Sequence, residues 1–393
     1  MTVNLSTHTA KVAASASSAD LLDEIILGGS CRNLANDQRR KRAREREALR
    51  RLSGQQILGN IDLARLEEAI DASRLKGPLL RELHAMPALE KHSSWCLRRG
   101  RARDTDSVRE GRLILRDGRT LAWCEYGPPN GRPLLRFQGM PGSRYSRHPH
   151  EESYDRLHVR VIVSDRPGYG ASTRLAGRGV AVVADDNVEL LDHLGLDLVH
   201  VTGTSGGGPH ALAFAALYPK RVQAATVTVG GAPLLKEDTV ELIGLNRAAW
   251  VAARQGWEAM HALLSPVRED LLRDPLGAFR RVMDAAPAAD KAVMGDPDWQ
   301  RVLIEDQLEA LNPGAEGWVD EAMAVMSPWD FDPSEVACTL TWWHGEHDAN
   351  APITAVQRLV AGMVGVDLRL WKEAGHLESY RRHDEILAEL LAR

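Results

Sequence analysis

The sequence predicts an α/β protein, a mostly parallel central sheet covered by helices, and three observations predict it. Short apolar runs of β character alternate with helical periods from about residue 112 to residue 229. One run, Leu198-Val199-His200-Val201, passes through Gly203-Thr204-Ser205-Gly206-Gly207 into the apolar segment 209–218, a small-X-Ser-X-small turn between a strand and a helix. Two later runs, 339–343 and 368–371, each lead into a loop bearing a reactive polar residue, Asp348 and His376. A sheet built this way gathers its functional groups at the strands' carboxyl ends.

Residues 1–105 form an N-terminal extension of different character. Residues 1–20 are poor in large apolar side chains and are expected to be disordered. Gln38 to Arg51 is basic and rich in helix formers, and Ile57, Ile61, Leu63, Leu66 and Ile70 continue at helical spacing. A second basic cluster, Arg98-Arg99-Gly100-Arg101-Ala102-Arg103, reads as a linker. No aromatic residues interleave with these charges, so a solvated helix face and a connector are expected rather than a nucleic-acid surface. A translation start later than Met1 remains a second reading of the extension.

The first part of the core is expected over residues 106–234. Strands at 112–115 and 121–126 flank the hairpin signal Asp117-Gly118. Strands at 134–137 and 159–164, a helix at 182–194, the strand–turn–helix around Ser205 and a strand at 222–229 follow. Between 235 and 330 the β pattern stops, and helices are expected at 240–255, 258–272, 275–285 and 298–311. The core resumes over 331–393. Trp250 and Trp257 share a face if one helix carries both, as core packing or as the wall of an acyl pocket.

With 393 residues, 44% of them apolar, the chain can bury one large core and still carry an extension. A net charge of −5 gives no general attraction to nucleic acid or acidic membranes. No apolar run approaches the ~20 residues of a membrane span, and residues 21–27 contain two acids where a secretory signal would be apolar. A cytoplasmic location is therefore expected. Cys31, Cys96, Cys124 and Cys338 form no Cys-X-X-Cys pair and read as free thiols. His148-Pro149-His150-Glu151 has metal-binding residue types, but proline breaks the helix that would align them, so no metal is expected.

The turn at Ser205 needs small residues because only those with little or no side chain let strand and helix backbones approach so closely. It would hold the serine oxygen out at the sheet edge and aim the Gly206 N–H where an oxyanion forms. His376 suits a general base, and Asp348 suits the acid that orients it, with Glu346 as the competing carboxylate. The chain order is serine, acid, histidine.

These residues resemble the α/β-hydrolase superfamily from about residue 108 to the end. Two further segments carry the resemblance. Phe137-Gln138-Gly139-Met140-Pro141-Gly142-Ser143-Arg144 is similar to the family's oxyanion loop, and Asp165-Arg166-Pro167-Gly168-Tyr169-Gly170-Ala171-Ser172 to a turn of its capped esterase-like, epoxide-hydrolase-like and peptidase-like members. The resemblance implies the α/β-hydrolase fold, a helical cap at 235–330 that selects the substrate, and no cofactor. It also implies that the Met140 backbone N–H is the second oxyanion donor, with Gln138 and Gly139 supporting the loop. Gln138 stands where the family carries histidine, and its amide could replace the bracing hydrogen bonds. Arg166 and Asp165 are expected to brace their turn, and Arg144 and Arg147 either to be structural or to steer an anionic substrate.

The implied reaction is hydrolysis of a small-molecule carboxylic ester through an acyl-enzyme on Ser205. Amide, peptide or C–C bond hydrolysis on the same residues, and a non-catalytic receptor or regulator of hydrolase fold, are the alternatives. A serine nucleophile argues against epoxide hydrolysis. Oligomeric state and natural substrate are not legible.

Overall fold

The computed structural model describes residues 108–393, so the predicted N-terminal extension, with Cys31 and Cys96, lies outside the described residues. Eight strands form one sheet: β1 (Arg109–Ile114), β2 (Thr120–Tyr126), β3 (Arg132–Phe137), β4 (Val159–Ser164), β5 (Val199–Thr204), β6 (Val222–Thr228), β7 (Thr339–Gly345) and β8 (Val366–Trp371). Their spatial order is β1-β2-β4-β3-β5-β6-β7-β8. The β1–β2 and β2–β4 pairs are antiparallel and every later pair is parallel. The α/β-hydrolase fold expected from the sequence is the fold observed.

The hairpin between β1 and β2 closes through Gly118, at φ 86°, a value that residues with a side chain rarely adopt. Beyond it, helices cover both sheet faces. Alternation along a strand sends neighbouring residues to opposite sides. Leu135, Ile162 and Val201 pack with Leu190 of α2 (Val182–His193) and Phe214 of α3 (Gly207–Leu217). Leu134, Val161 and Val163 pack with Tyr154 of α1 (Glu152–Leu157) and with Leu387 and Leu390 of α12 (His383–Leu391).

Six helices lie between β6 and β7: α4 (Gly244–Gln255), α5 (Trp257–Arg273), α6 (Pro275–Ala285), α7 (Ala288–Val293), α8 (Pro297–Leu311) and α9 (Glu316–Met326). All but α7 share an apolar core that includes Met260, Leu264, Leu311 and Trp318. Periodicity pointed to four of them. The fifth, α9, buries Gly317, Trp318, Val319, Asp320, Glu321, Ala322 and Ala324, so it has no polar face to reveal a helical period. The sixth, α7, is only six residues long. After β7 come α10 (Ile353–Val360), and after β8 α11 (Glu378–Arg381) and α12.

Gly256, at φ 110°, ends α4 before Trp257 opens α5, so Trp250 and Trp257 do not share a helix. Each has its own partner: Arg254 lies over the Trp250 ring, and Trp257 Nε1 donates to Asp320 at 2.7 Å. Among the described residues, no helix is long and apolar enough to cross a membrane. Cys124 and Cys338 are free thiols, the first buried and the second partly so.

Candidate active site

Ser205 follows β5 directly and sits at φ 54°, the left-handed region that costs a side-chain-bearing residue energy. The surroundings hold it there. Its N–H donates to the Thr228 carbonyl at 3.0 Å, and its own carbonyl accepts from Gly208 at 2.9 Å and Gly231 at 3.1 Å. A Cβ on Gly207 would lie 2.1 Å from the Phe137 carbonyl oxygen, and one on Gly203 2.6 Å from the Ala211 Cβ. Glycine is required at both places by close backbone approach, as the sequence suggested.

The three residues from separate strand ends converge. His376 Nε2 lies 2.8 Å from Ser205 Oγ, and His376 Nδ1 lies 2.8 Å from Asp348 Oδ2. With Nδ1–H donating to the carboxylate, Nε2 is free to accept the serine proton. The other Asp348 oxygen accepts the N–H groups of Asn350 at 2.8 Å and Ala351 at 2.9 Å, while the competing Glu346 is exposed. Burial alone would push the Asp348 carboxyl up, but His376 and the backbone donors hold it below its ordinary value. Burial also opposes a charged His376, and the adjoining Asp348 carboxylate outweighs it, so the imidazole titrates above the usual histidine range.

The loop after β3 meets Ser205 from the other side. A Cβ on Gly139 would lie 3.7 Å from the Ser205 Cβ, and one on Gly206 would lie 3.3 Å from the Met140 nitrogen. The backbone of Met140 therefore comes close to that of Gly206 at the N-terminal end of α3. Gln138 is 1% exposed, and its amide donates to the Ser164 carbonyl at 2.9 Å and the Gly142 carbonyl at 3.4 Å. Gln138 thus ties its own loop to the end of β4.

Sequence reasoning missed what holds this loop from behind. Arg166 donates to the carbonyls of Gln138 and Gly139, both at 2.7 Å, so it grips the neighbouring loop and not merely its own turn. Its Nε meets Glu321 of α9 at 2.9 Å, and Glu321 also holds Arg178 at 3.3 Å and His210 at 3.2 Å. Asp306 of α8 accepts from Ser143 N at 2.7 Å and Ser143 Oγ at 2.8 Å. Asp290 of α7 accepts from Leu377 N at 2.8 Å, next to His376. Glu321, Asp306 and Asp290 thus link the helical insertion to the loops of the site, and no local pattern in the sequence marks them.

Arg144 and Arg147 are buried and committed to carboxylates. Arg144 pairs with Asp165 and Glu309 at 2.7 Å, and Arg147 with Glu305 at 2.8 Å. His148 gathers with His383 and Asp384 rather than with its sequence neighbour Glu151, the three donor atoms lying within 4.8 Å of one another. Protein groups engage all three: His150 N donates to His148, Arg136 to His383, and Ser153 and Arg156 to Asp384.

Residues 132–264 match the family model described as alpha/beta hydrolase fold. An uncharacterized hydrolase of Bacillus subtilis is 35% identical over 115 residues, covering 28% of this chain and 38% of that protein. A hydrolase of Burkholderia vietnamiensis named for 2-hydroxy-6-oxononadienedioate and 2-hydroxy-6-oxononatrienedioate is 26% identical over 71% of this chain and 94% of its own length. A solved hydrolase from Pseudomonas aeruginosa superposes with a TM-score of 0.54 at 19% identity, over 72% of this chain and 98% of that one. A thermophilic esterase from Thermogutta terrifontis gives a TM-score of 0.50 at 22% identity, over 72% and 97%.

Proposed function

Because this chain belongs to the α/β-hydrolase superfamily and is a hydrolase of that fold, we propose that it cleaves small-molecule carboxylic esters with Ser205 as nucleophile. The observation that carries this reading is the unbroken chain of 2.8 Å contacts from Ser205 Oγ through His376 to Asp348. Ser205 Oγ attacks the acyl carbon while its proton passes to His376 Nε2. Asp348 fixes the tautomer and stabilises the imidazolium. The N–H groups of Gly206 and Met140 hold the tetrahedral oxyanion, worth on the order of 10²–10³ in rate for one such donor. His376 returns the proton to the departing alkoxide, and an acyl group remains on Ser205. Water, deprotonated by His376, attacks that acyl group, and collapse of the adduct releases the acid while the proton passes from His376 back to Ser205 Oγ.

The six-helix insertion serves as the cap that selects the acyl group, and its acids Glu321, Asp306 and Asp290 couple cap to core. A second reading is hydrolysis of a C–C bond next to a ketone on the same residues, favoured by the relatives named for oxo-dioate substrates. Stopped-flow hydrolysis of p-nitrophenyl esters with increasing acyl length separates the two. A burst of p-nitrophenol followed by slower turnover, absent in Ser205→Ala, is the expected result. Inertness toward every ester in a folded protein that cleaves a vinylogous diketone would favour the second reading.

A further inference from the structure

Arg136, on β3, is 6% exposed and brings a guanidinium charge into the interior. The other deeply buried arginines each meet a carboxylate: Arg144 with Asp165, Arg147 with Glu305, and Arg166 and Arg178 with Glu321. Arg136 has no such partner among the described residues. Its Nη1 donates to His383 Nε2 at 3.3 Å, and its Nε is buried without a hydrogen bond. Burial holds His383 down to about 4, so at neutral pH its neutral ring accepts from Arg136, and the Asp384 carboxylate stands 3.3 Å beyond its Nδ1, out of direct contact with the guanidinium. Asp306 lies within the field of the guanidinium, but burial lifts its carboxyl to about 7 and its Oδ1 is committed to Ser143.

The guanidinium borders a small cavity between the sheet and the C-terminal helices, lined also by Thr204, Thr228, Ser379, Tyr380 and His383. No aspartate or glutamate lines it. The Ser379 hydroxyl is buried without a hydrogen bond. Thr204 and Thr228 lie 3.0 Å apart, oxygen to oxygen, so one hydroxyl donates to the other and a proton is left over. Arg136, Ser379 and the threonine pair, each with a proton to donate, therefore line one space. A buried cation facing unsatisfied donors costs stability unless an acceptor with negative charge sits among them. The space has room for a single small guest.

We propose that this cavity binds a small monovalent anion, of which chloride and bromide are the probes, held by Arg136, Ser379 and the Thr204–Thr228 pair behind the Ser205 turn. The bound anion neutralises Arg136 and satisfies donors on β3, β5, β6 and α11 at once, tying the C-terminal helices to the sheet. The site does not depend on the hydrolytic reading, because none of its ligands takes part in that reaction.

The deciding experiment is diffraction at the bromine edge from crystals of the unaltered protein grown in sodium bromide. An anomalous peak between Arg136 and Ser379 is expected, and its absence overturns the proposal, leaving water as the occupant. Thermal unfolding supplies a solution readout. At equal ionic strength, chloride and bromide should raise Tm by several degrees over gluconate, which is too large to enter, and Arg136→Met should abolish the difference. Equal Tm values of the unaltered protein in all three salts count against the site even if the variant does not fold.

Discussion

Arg166 and Glu321 meet at 2.9 Å in full burial, and through this contact the helical insertion reaches the loop that faces Ser205. The carboxylate belongs to α9, while the guanidinium fixes the Gln138 and Gly139 carbonyls. With those carbonyls turned back toward Arg166, the loop can present the Met140 N–H toward Ser205. Burial works against the Glu321 charge, but Arg166, His210 and Arg178 hold its carboxyl well below the usual range. Burial likewise holds His210 below the usual histidine range, so at neutral pH the cluster is one anion between two cations.

Glu321→Gln strips two buried guanidinium groups of their carboxylate. Removing one partner of a buried ion pair costs about 3–5 kcal/mol. The variant should lose stability on that scale and, where still folded, should lose kcat more than it gains KM. Urea unfolding with parallel kinetics checks both, and a stability within about 0.5 kcal/mol of the parent would dismiss the coupling.

The pH profile follows from His376. Catalysis needs the neutral ring, and Asp348 raises its pKa above the ordinary ~6.5, so kcat/KM should climb with pH to a midpoint above that value. The same shift stabilises the fold below the unfolded pKa, and that contribution disappears as pH rises through the folded one. Asp348→Asn should move the midpoint down and cut kcat on the order of 10⁴-fold. An unmoved midpoint would mean that Asp348 does not set the imidazole's basicity.

Gln138 faces two carbonyl oxygens, so only a donor fits. Gln138→Ala should reduce kcat about 10- to 100-fold with little change in KM, the cost of a misplaced oxyanion donor. Gln138→Glu should be worse, since a carboxylate would face those carbonyls without a proton to share. Steady-state kinetics on both variants, with circular dichroism to confirm folding, reads the difference.

Asp306 is a carboxyl whose folded pKa, about 7, lies above its unfolded value because burial disfavours the charge. The native state therefore binds more protons than the unfolded one between those values, and stability falls as pH rises through that window. Asp306→Asn keeps an oxygen for Ser143 and removes the titration. Chemical denaturation from pH 4 to pH 8 should show a flatter profile in the variant, and identical slopes would assign the pH dependence elsewhere.

Much of this molecule can be read from its sequence, and what cannot is informative. The turn at Ser205 is legible because Gly203 and Gly207 answer a local steric demand, and Asp348 and His376 because each follows a strand within a few residues. Arg166 is visible as a turn residue, yet its partner Glu321 lies 155 positions away and on a helix buried on every side. Asp290 and Asp306 are equally silent, since a carboxylate that accepts from a distant backbone N–H needs no neighbour of a particular type. The break at Gly256 falls where the helical periods over 240–255 and 258–272 part, and its φ of 110° is the conformation that lets the chain turn there.

The central claim is that Ser205 is a nucleophile made reactive by His376. Incubation of the folded protein with a fluorophosphonate, followed by peptide mass spectrometry, tests it directly. A single phosphonyl adduct on Ser205 is predicted, lost in Ser205→Ala and strongly slowed in His376→Ala. A folded parent protein that stays unlabelled, or that carries the adduct on another residue, would contradict it.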